Sequence, residues 1–164
     1  MKVSIIYHSE TGNTESIAHQ IALGVKSLSE VDGKMMPVDS IDYEFLRESV
    51  VVFFGCPTYC GTYSWKMKEW FDTMKNKTCL YGKLGAVFTT ENHLGGGAEN
   101  ALLGLIGQMI CRGMLVYSGG HPSGQPLVHL GAVAIKKGDR YQQDRAMKFG
   151  ERITKKGVEL FCRE

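Results

Sequence analysis

No stretch of this 164-residue chain approaches the ~18–20 consecutive apolar residues that a bilayer-crossing helix needs, so no membrane partner is expected. Charge of one sign is also missing. The chain carries 19 Lys and Arg against 17 Asp and Glu, a formal net charge of +2. The densest basic stretches, Lys136-Lys137 and Lys155-Lys156, read as solvated surface. That balance excludes a nucleic-acid-binding stripe. Residues Met1 to Ser9 hold too short an apolar stretch for a signal peptide, and no small-residue cleavage site follows. A cytoplasmic protein is expected. Cysteines number five (Cys56, Cys60, Cys79, Cys111 and Cys162), an odd count without an export signal, which argues against a disulfide framework. Cys56 and Cys60 form a C-x-x-x-C with no second pair to complete four zinc ligands, so no metal site is expected.

What is present is ordinary for a globular chain: 43% hydrophobic and 22% charged residues. The length suits one domain, residues 1–164. Strand and helix signals alternate along it. Val3 to Tyr7 is short, apolar and β-branched, as a buried parallel strand would be. Ile17, Ala18, Ile21, Ala22, Val25 and Leu28 then make one apolar helix face, which Asp32-Gly33 is expected to break. Lys34 to Val38 reads as a weaker strand at a sheet edge. Val50 to Gly55 is the strongest strand signal and predicts a central position covered on both faces.

A loop from Cys56 to Ser64 leads into a helix carrying Met67, Trp70, Phe71 and Met74. Leu84 to Thr89 is the next strand, followed by a glycine-rich loop, Glu91 to Gly97, and a helix from Ala101 to Ile110 that is apolar on more than one face. Met114 to Tyr117 begins a fifth strand. The polar stretch Ser118 to Gln125 interrupts the order, and Ala132 to Ile135 is expected to resume the sheet. A last helix runs from about Tyr141 to Phe161, with Ala146, Phe149, Ile153, Gly157 and Leu160 inward. This alternation predicts the α/β class: a three-layer sandwich around a five-stranded parallel sheet. In such sheets a ligand lies beyond the carboxyl ends of the strands, at the switch point of strand order. The residues after strands one, three and four therefore carry the functional information.

The first of these segments is Ser9-Glu10-Thr11-Gly12-Asn13-Thr14. Three hydroxyls and a glycine stand where backbone amides and a helix N-terminus converge, which favours a phosphate. The loop has no Lys or Arg, and it is neither a Walker A loop nor G-x-G-x-x-G. A single phosphate monoester suits it better than a triphosphate with Mg²⁺. Helix capping alone also accounts for Ser, Thr and Asn at these places.

The pattern [ST]-x-T-G-x-T after a first strand resembles the FMN-phosphate loop of flavodoxins, and Ser9 to Thr14 match it at every specified place. Gly55-Cys56-Pro57-Thr58-Tyr59-Cys60-Gly61 resembles the G-x-P-T-x-x-G segment of the flavodoxin-like NAD(P)H:quinone oxidoreductases, the WrbA-like group. Met67 to Asp72 resembles that group's following helix. Thr89 to Glu99 resembles the loop that closes over the flavin's other side, with Gly96, Gly97 and Glu99 on matching places. Arg112-Gly113-Met114 and Gly131-Ala132 look like its later segments, so the resemblance covers nearly the whole chain. Where the group has an Arg-Phe pair, this chain has Tyr59-Cys60.

The resemblance implies a flavodoxin-like sheet order, 2-1-3-4-5, and FMN as cofactor. It implies cofactor contacts from Ser9, Glu10, Thr11, Gly12, Asn13 and Thr14; from Pro57, Thr58, Tyr59, Cys60, Gly61 and Thr62; and from Thr90, Glu91, Asn92 and Gly96. His93 and His121 read as solvent-facing loop residues. No side chain is expected to serve as catalytic acid or base, since FMN supplies the redox chemistry. The favoured expectation is two-electron transfer from NADH or NADPH through FMN to a quinone or similar small acceptor. The alternative is a flavodoxin-type electron carrier between proteins. A homo-dimer or tetramer is expected on the apolar helix Ala101 to Ile110 and on the group's cross-subunit sites.

Overall fold

A computed structural model describes residues 1–74 and 79–162. Strand β1 (Lys2–Tyr7) leads into helix α1 (Asn13–Lys26), and β2 (Asp32–Pro37) into α2 (Tyr43–Glu48). Then come β3 (Val51–Tyr59), β4 (Thr62–Tyr63), α3 (Trp65–Thr73), β5 (Leu84–Glu91) and α4 (Ala98–Ile110). The short β6 (Leu115–Val116), β7 (Ala132–Ile135) and α5 (Arg140–Phe161) complete the chain. The sheet runs β2-β1-β3-β5, and both β6 and β7 pair with the free side of β5. Every pairing in this sheet is parallel. With β6 and β7 counted as two pieces of one strand, the order is the expected 2-1-3-4-5.

The helices cover both faces because the central strands are apolar on both. Phe53 and Phe54 are adjacent on β3, so they point to opposite sides. Phe53 meets Phe149 of α5 edge-on, with ring centroids 6.0 Å apart, in the core shared with α1. Phe54 lies 5.1 Å from Phe71 and 5.8 Å from Trp70, in the core shared with α3 and α4. Each such fully buried side chain stabilises the fold by roughly 1.5–3 kcal/mol.

Local chemistry starts the helices. The carboxylate of Asp139 accepts from the Gln142 amide, and the Gln142 side chain bonds back to the Asp139 amide, a reciprocal cap for α5. Ser64 caps α3 by accepting from Met67, and Asp42 caps α2 by accepting from Glu44 and Phe45. Helix α1 carries Glu15 in its first turn and Lys26 in its last, both matched to the helix dipole.

Several expectations are corrected. Helix α1 ends at Lys26, before Leu28, so Asp32 and Gly33 do not break it; they open β2, because parallel pairing with Lys2 and Val3 extends that edge strand. The segment Cys56 to Ser64 is mostly not a loop. β3 continues through Pro57 to Tyr59, whose Pro57 pairs with Thr90, and a hairpin brings back β4. Likewise β5 runs on to Glu91, into the expected glycine-rich loop. The fifth strand is split, with β6 opposite Leu84–Gly85 and β7 opposite Phe88–Glu91. Helix α2 was not anticipated: at six residues it is too short to show a face, and only Phe45 and Leu46 are buried. Leu160, expected to face inward, is exposed.

Candidate functional site

Three chain segments meet at the carboxyl ends of β1, β3 and β5. The turn after β1 carries Gly12 in the left-handed region at φ 79°, where it serves as the N-cap residue of α1. A left-handed cap turns the preceding amides toward one side. Among the described residues, the amides of Thr11, Gly12, Asn13 and Thr14 donate to no protein acceptor, whereas that of Glu15 donates to Ser9 Oγ at 3.2 Å. Free amides at a helix N-terminus are an anion site in the making. The neighbouring hydroxyls differ. Thr11 is exposed, while Thr14 is buried and shares a 2.8 Å hydrogen bond with the Thr90 hydroxyl.

A second threonine pair ties the segments after β3 and β5 together. The Thr58 and Thr89 hydroxyls are 3.0 Å apart, and Thr89 also donates to the Cys56 carbonyl at 2.7 Å. All three segments are thus hydrogen-bonded into one rigid floor.

Two adjoining hollows lie on that floor. The smaller, about 80 Å³, is formed by Ser9, Glu10, Thr11, Asn13 and Thr14 with Pro57 and Thr90 beside them. The larger, about 480 Å³, has Cys60 and Gly61 on one wall and Glu91, His93, Gly95 and Gly96 on the other. Thr58, Tyr59 and Asn92 border both, so the two form one continuous groove. Its larger part falls within the ~300–1,000 Å³ usual for small-molecule sites.

Of the residues expected to contact the cofactor, only Gly12 and Thr62 do not line this groove. Gly12 shapes the first turn from behind, and Thr62 is an exposed residue paired with Tyr59. Sequence reasoning missed Gly95 and set His93 aside as solvent-facing; His93 is indeed exposed, yet it borders the groove. The run Leu94-Gly95-Gly96-Gly97 was the available signal, since its glycines leave both neighbours no bulk to hide behind. His121 lies away from the groove on a short 3-10 turn.

Burial sets the state of several titratable groups in and beneath the groove. Tyr59 is half-buried, and burial together with the Glu10 carboxylate pushes its phenol up to about 12, so it remains a protonated donor. Its ring meets His8 edge-on at 6.1 Å. His8 is buried, with Nδ1 2.9 Å from Ser64 Oγ. Burial lowers its basicity, against the opposing pull of Glu10 and Asp39. The Cys56 thiol is pushed up to about 11 by burial and is chemically inert there. Glu91 is buried and accepts from the Ala98 amide at 3.3 Å, so it caps α4 in place of the side chain that Gly97 lacks.

The donor set fits a flavin mononucleotide: amides and hydroxyls at the small end for a phosphate, and a wider slot for a planar ring. Among the described residues no group of three or more His, Cys, Asp or Glu could hold a metal ion, and no helix is long and apolar enough to cross a membrane.

An open parallel sheet with free helix-N-terminal amides after β1 and two walls after β3 and β5 is the arrangement of the mononucleotide-binding proteins of the doubly wound α/β class. Comparison with known proteins sharpens this. The chain belongs to the flavodoxin family, the flavodoxin-like FMN-binding redox proteins, whose sequence pattern matches residues 5–107. It is 44% identical over 161 residues to a flavodoxin of Clostridium saccharobutylicum, covering 98% of this chain and 100% of that one. It is 30% identical over 137 residues to an NAD(P)H dehydrogenase (quinone) of Sinorhizobium fredii, covering 70% and 69% respectively. The fold matches a WrbA-like flavodoxin of Agrobacterium tumefaciens with a TM-score of 0.82 at 22% identity, over 96% of this chain and 98% of that one.

Proposed function

We propose that this flavodoxin-family protein binds FMN along the groove and acts as an electron carrier between redox partners that approach its open side. The observation that carries the reading is the continuity of the two hollows through Thr58, Tyr59 and Asn92, which joins a phosphate cradle to a ring slot in a single chain. FMN supplies the redox chemistry when bound. Ser9, Thr11, Asn13 and the free amides of the first turn hold the phosphate, and Thr14 braces that turn through Thr90. Pro57 to Gly61 and Thr90 to Gly96 would flank the ring. No side chain is required to move a proton. The flavodoxin relative aligned over its full length supports carriage over turnover.

A second reading is NAD(P)H-dependent, two-electron reduction of a quinone or similar small acceptor. It is favoured by the relatives named NAD(P)H dehydrogenase (quinone) and by the WrbA-like structural match. A homo-dimer or tetramer belongs with this reading, and the exposed Leu103 and Ile110 of α4 offer a face for it.

The test is to load the protein with flavin and mix it anaerobically with NADH or NADPH. Carriage is supported when the flavin stays oxidised and only a reductase protein bleaches it. Rapid bleaching by the nicotinamide, with a dimer or larger in light scattering, establishes the second reading. Mass spectrometry of the released cofactor should show FMN; FAD, or no flavin affinity, overturns both.

A further inference from the structure

The hairpin that walls the ring slot has a two-residue turn, and both residues have positive φ: 48° at Cys60 and 77° at Gly61. Two positive φ values in sequence are the mark of a tight hairpin whose twist matches its strands. The turn is docked along one face of α4. At the first turn of that helix, the Asn100 side chain donates to the Gly61 carbonyl at 2.7 Å. Beside it, Gly97 approaches so closely that an added Cβ would stand 2.6 Å from Gly61 Cα. One turn further on, a Cβ on Gly104 would stand 2.4 Å from the Tyr63 ring, and one turn beyond that Gln108 donates to the Tyr63 hydroxyl at 3.0 Å. Positions 97, 100, 104 and 108 share one helical face. Bare glycines there admit the hairpin, and two amide side chains bind it.

We infer that Asn100 is a positioning residue which locks the Gly61 peptide against α4 and thereby sets the reduction potential of a flavin held in the slot. Asn100 does not line the groove, while Gly61 does. The hydrogen bond therefore directs the Gly61 carbonyl at a residue outside the groove. A carbonyl so engaged is withheld as an acceptor from the ligand. Reduced flavin carries more protons and more negative charge than oxidised flavin, so the orientation of an adjacent peptide dipole biases the equilibrium between them. This inference rests on FMN occupying the groove, but its structural half does not.

The ligand-free chain tests the lock itself. In Asn100→Ala, amide hydrogen exchange across residues 60–63 should quicken about tenfold, the equivalent of one hydrogen bond, with unchanged thermal stability of the rest. Unchanged exchange at the hairpin overturns the lock. The FMN-loaded protein tests its consequence. The difference between the two one-electron midpoint potentials should move by about 59 mV, a tenfold change in equilibrium constant. Asn100→Asp, which keeps size but loses the amide donor, should shift it in the same direction, and Asn100→Gln should restore part of it. Faster exchange with unmoved potentials overturns the redox role. Failure of the wild-type chain to take up FMN overturns the functional reading and the redox role together, while the exchange measurement still decides the lock.

Discussion

The two ends of the groove are built on different principles. The small end is local: six consecutive residues, one left-handed glycine and a helix N-terminus make a cradle whose amides are left free. The wide end is assembled from distant parts, with a hairpin at residues 58–63 strapped to a helix that begins at Ala98, and Glu91 capping that helix from underneath. A local cradle survives as long as its own backbone geometry does. An assembled wall depends on every contact between its parts. Substitutions should therefore separate affinity from stability at the first end wherever the side chain has no partner elsewhere in the fold, and couple them at the second.

The largest effect is expected from Gly97→Ala. Its φ of 98° disfavours any side chain, and the new Cβ would meet Gly61 backbone at 2.6 Å. Strain of this kind costs roughly 1–3 kcal/mol, and pushing the hairpin aside should lower FMN affinity by up to about a hundredfold. Denaturant unfolding and flavin titration should move together; loss of one without the other would break the coupling.

Next come two threonines of the cradle. Hydrogen bonds to a charged phosphate contribute ~1.5–3 kcal/mol, so Thr11→Ala should weaken FMN binding about ten- to a hundredfold and leave stability unchanged, since Thr11 is exposed. Thr14→Ala should weaken binding and also destabilise the ligand-free chain by ~1–3 kcal/mol, because the buried Thr90 hydroxyl loses its partner. Equal unfolding midpoints for the two variants would erase the distinction between a free and a bracing hydroxyl.

A third prediction concerns pH. His8 is held neutral by burial, so its basicity in the fold lies below the ordinary 6.5. Below about pH 6.5 the unfolded chain binds a proton that the folded chain does not, and stability falls as pH drops toward the folded value. Charged neighbours Glu10 and Asp39 oppose the shift, and Lys66 reinforces it. In His8→Asn this part of the acid limb of the stability profile should flatten; an identical limb in both proteins would remove His8 as its source.

The smallest effect is expected at Cys60, a non-glycine residue at φ 48°. Asparagine tolerates that conformation better, so Cys60→Asn should raise stability by roughly 0.5–1 kcal/mol. A lower melting temperature would mean that the thiol contributes packing that its exposure does not suggest.

These contrasts also explain what could be read from the sequence. The main strands of the sheet and the turn Ser9 to Thr14 were legible, because each depends on residues close together in the chain. The hairpin was not: Cys56 to Ser64 has the glycine and proline of a loop, and its strand character comes from pairing with β5 and from a turn that forces Cys60 out of its preferred conformation. Asn100 and Gln108 were invisible for the opposite reason. Polar residues on a helix read as a solvent face, and only the glycines at 97 and 104, spaced to share that face, hint at something lying against it. Helix α2 was missed because its signal is a single cap, Asp42, before a run too short for periodicity.

The divided fifth strand has a consequence for how copies of this protein meet. A parallel sheet ends in two lateral strands whose unpaired amides and carbonyls invite a neighbouring chain to add on. On one side, that invitation is cut into a two-residue piece and a four-residue piece separated by the excursion 117–131, which Arg145 and Arg152 pin to α5 through the carbonyls of Leu127, Ser123, Gly124 and Pro126. On the other, β2 carries Asp32 and Lys34 and closes on Pro37, which has no amide to donate. Neither border offers a long, regular row of hydrogen-bonding groups. Edge-to-edge pairing of copies should therefore be disfavoured even with a strongly apolar sheet at the centre, and lengthening or shortening the excursion should leave the register of the sheet intact.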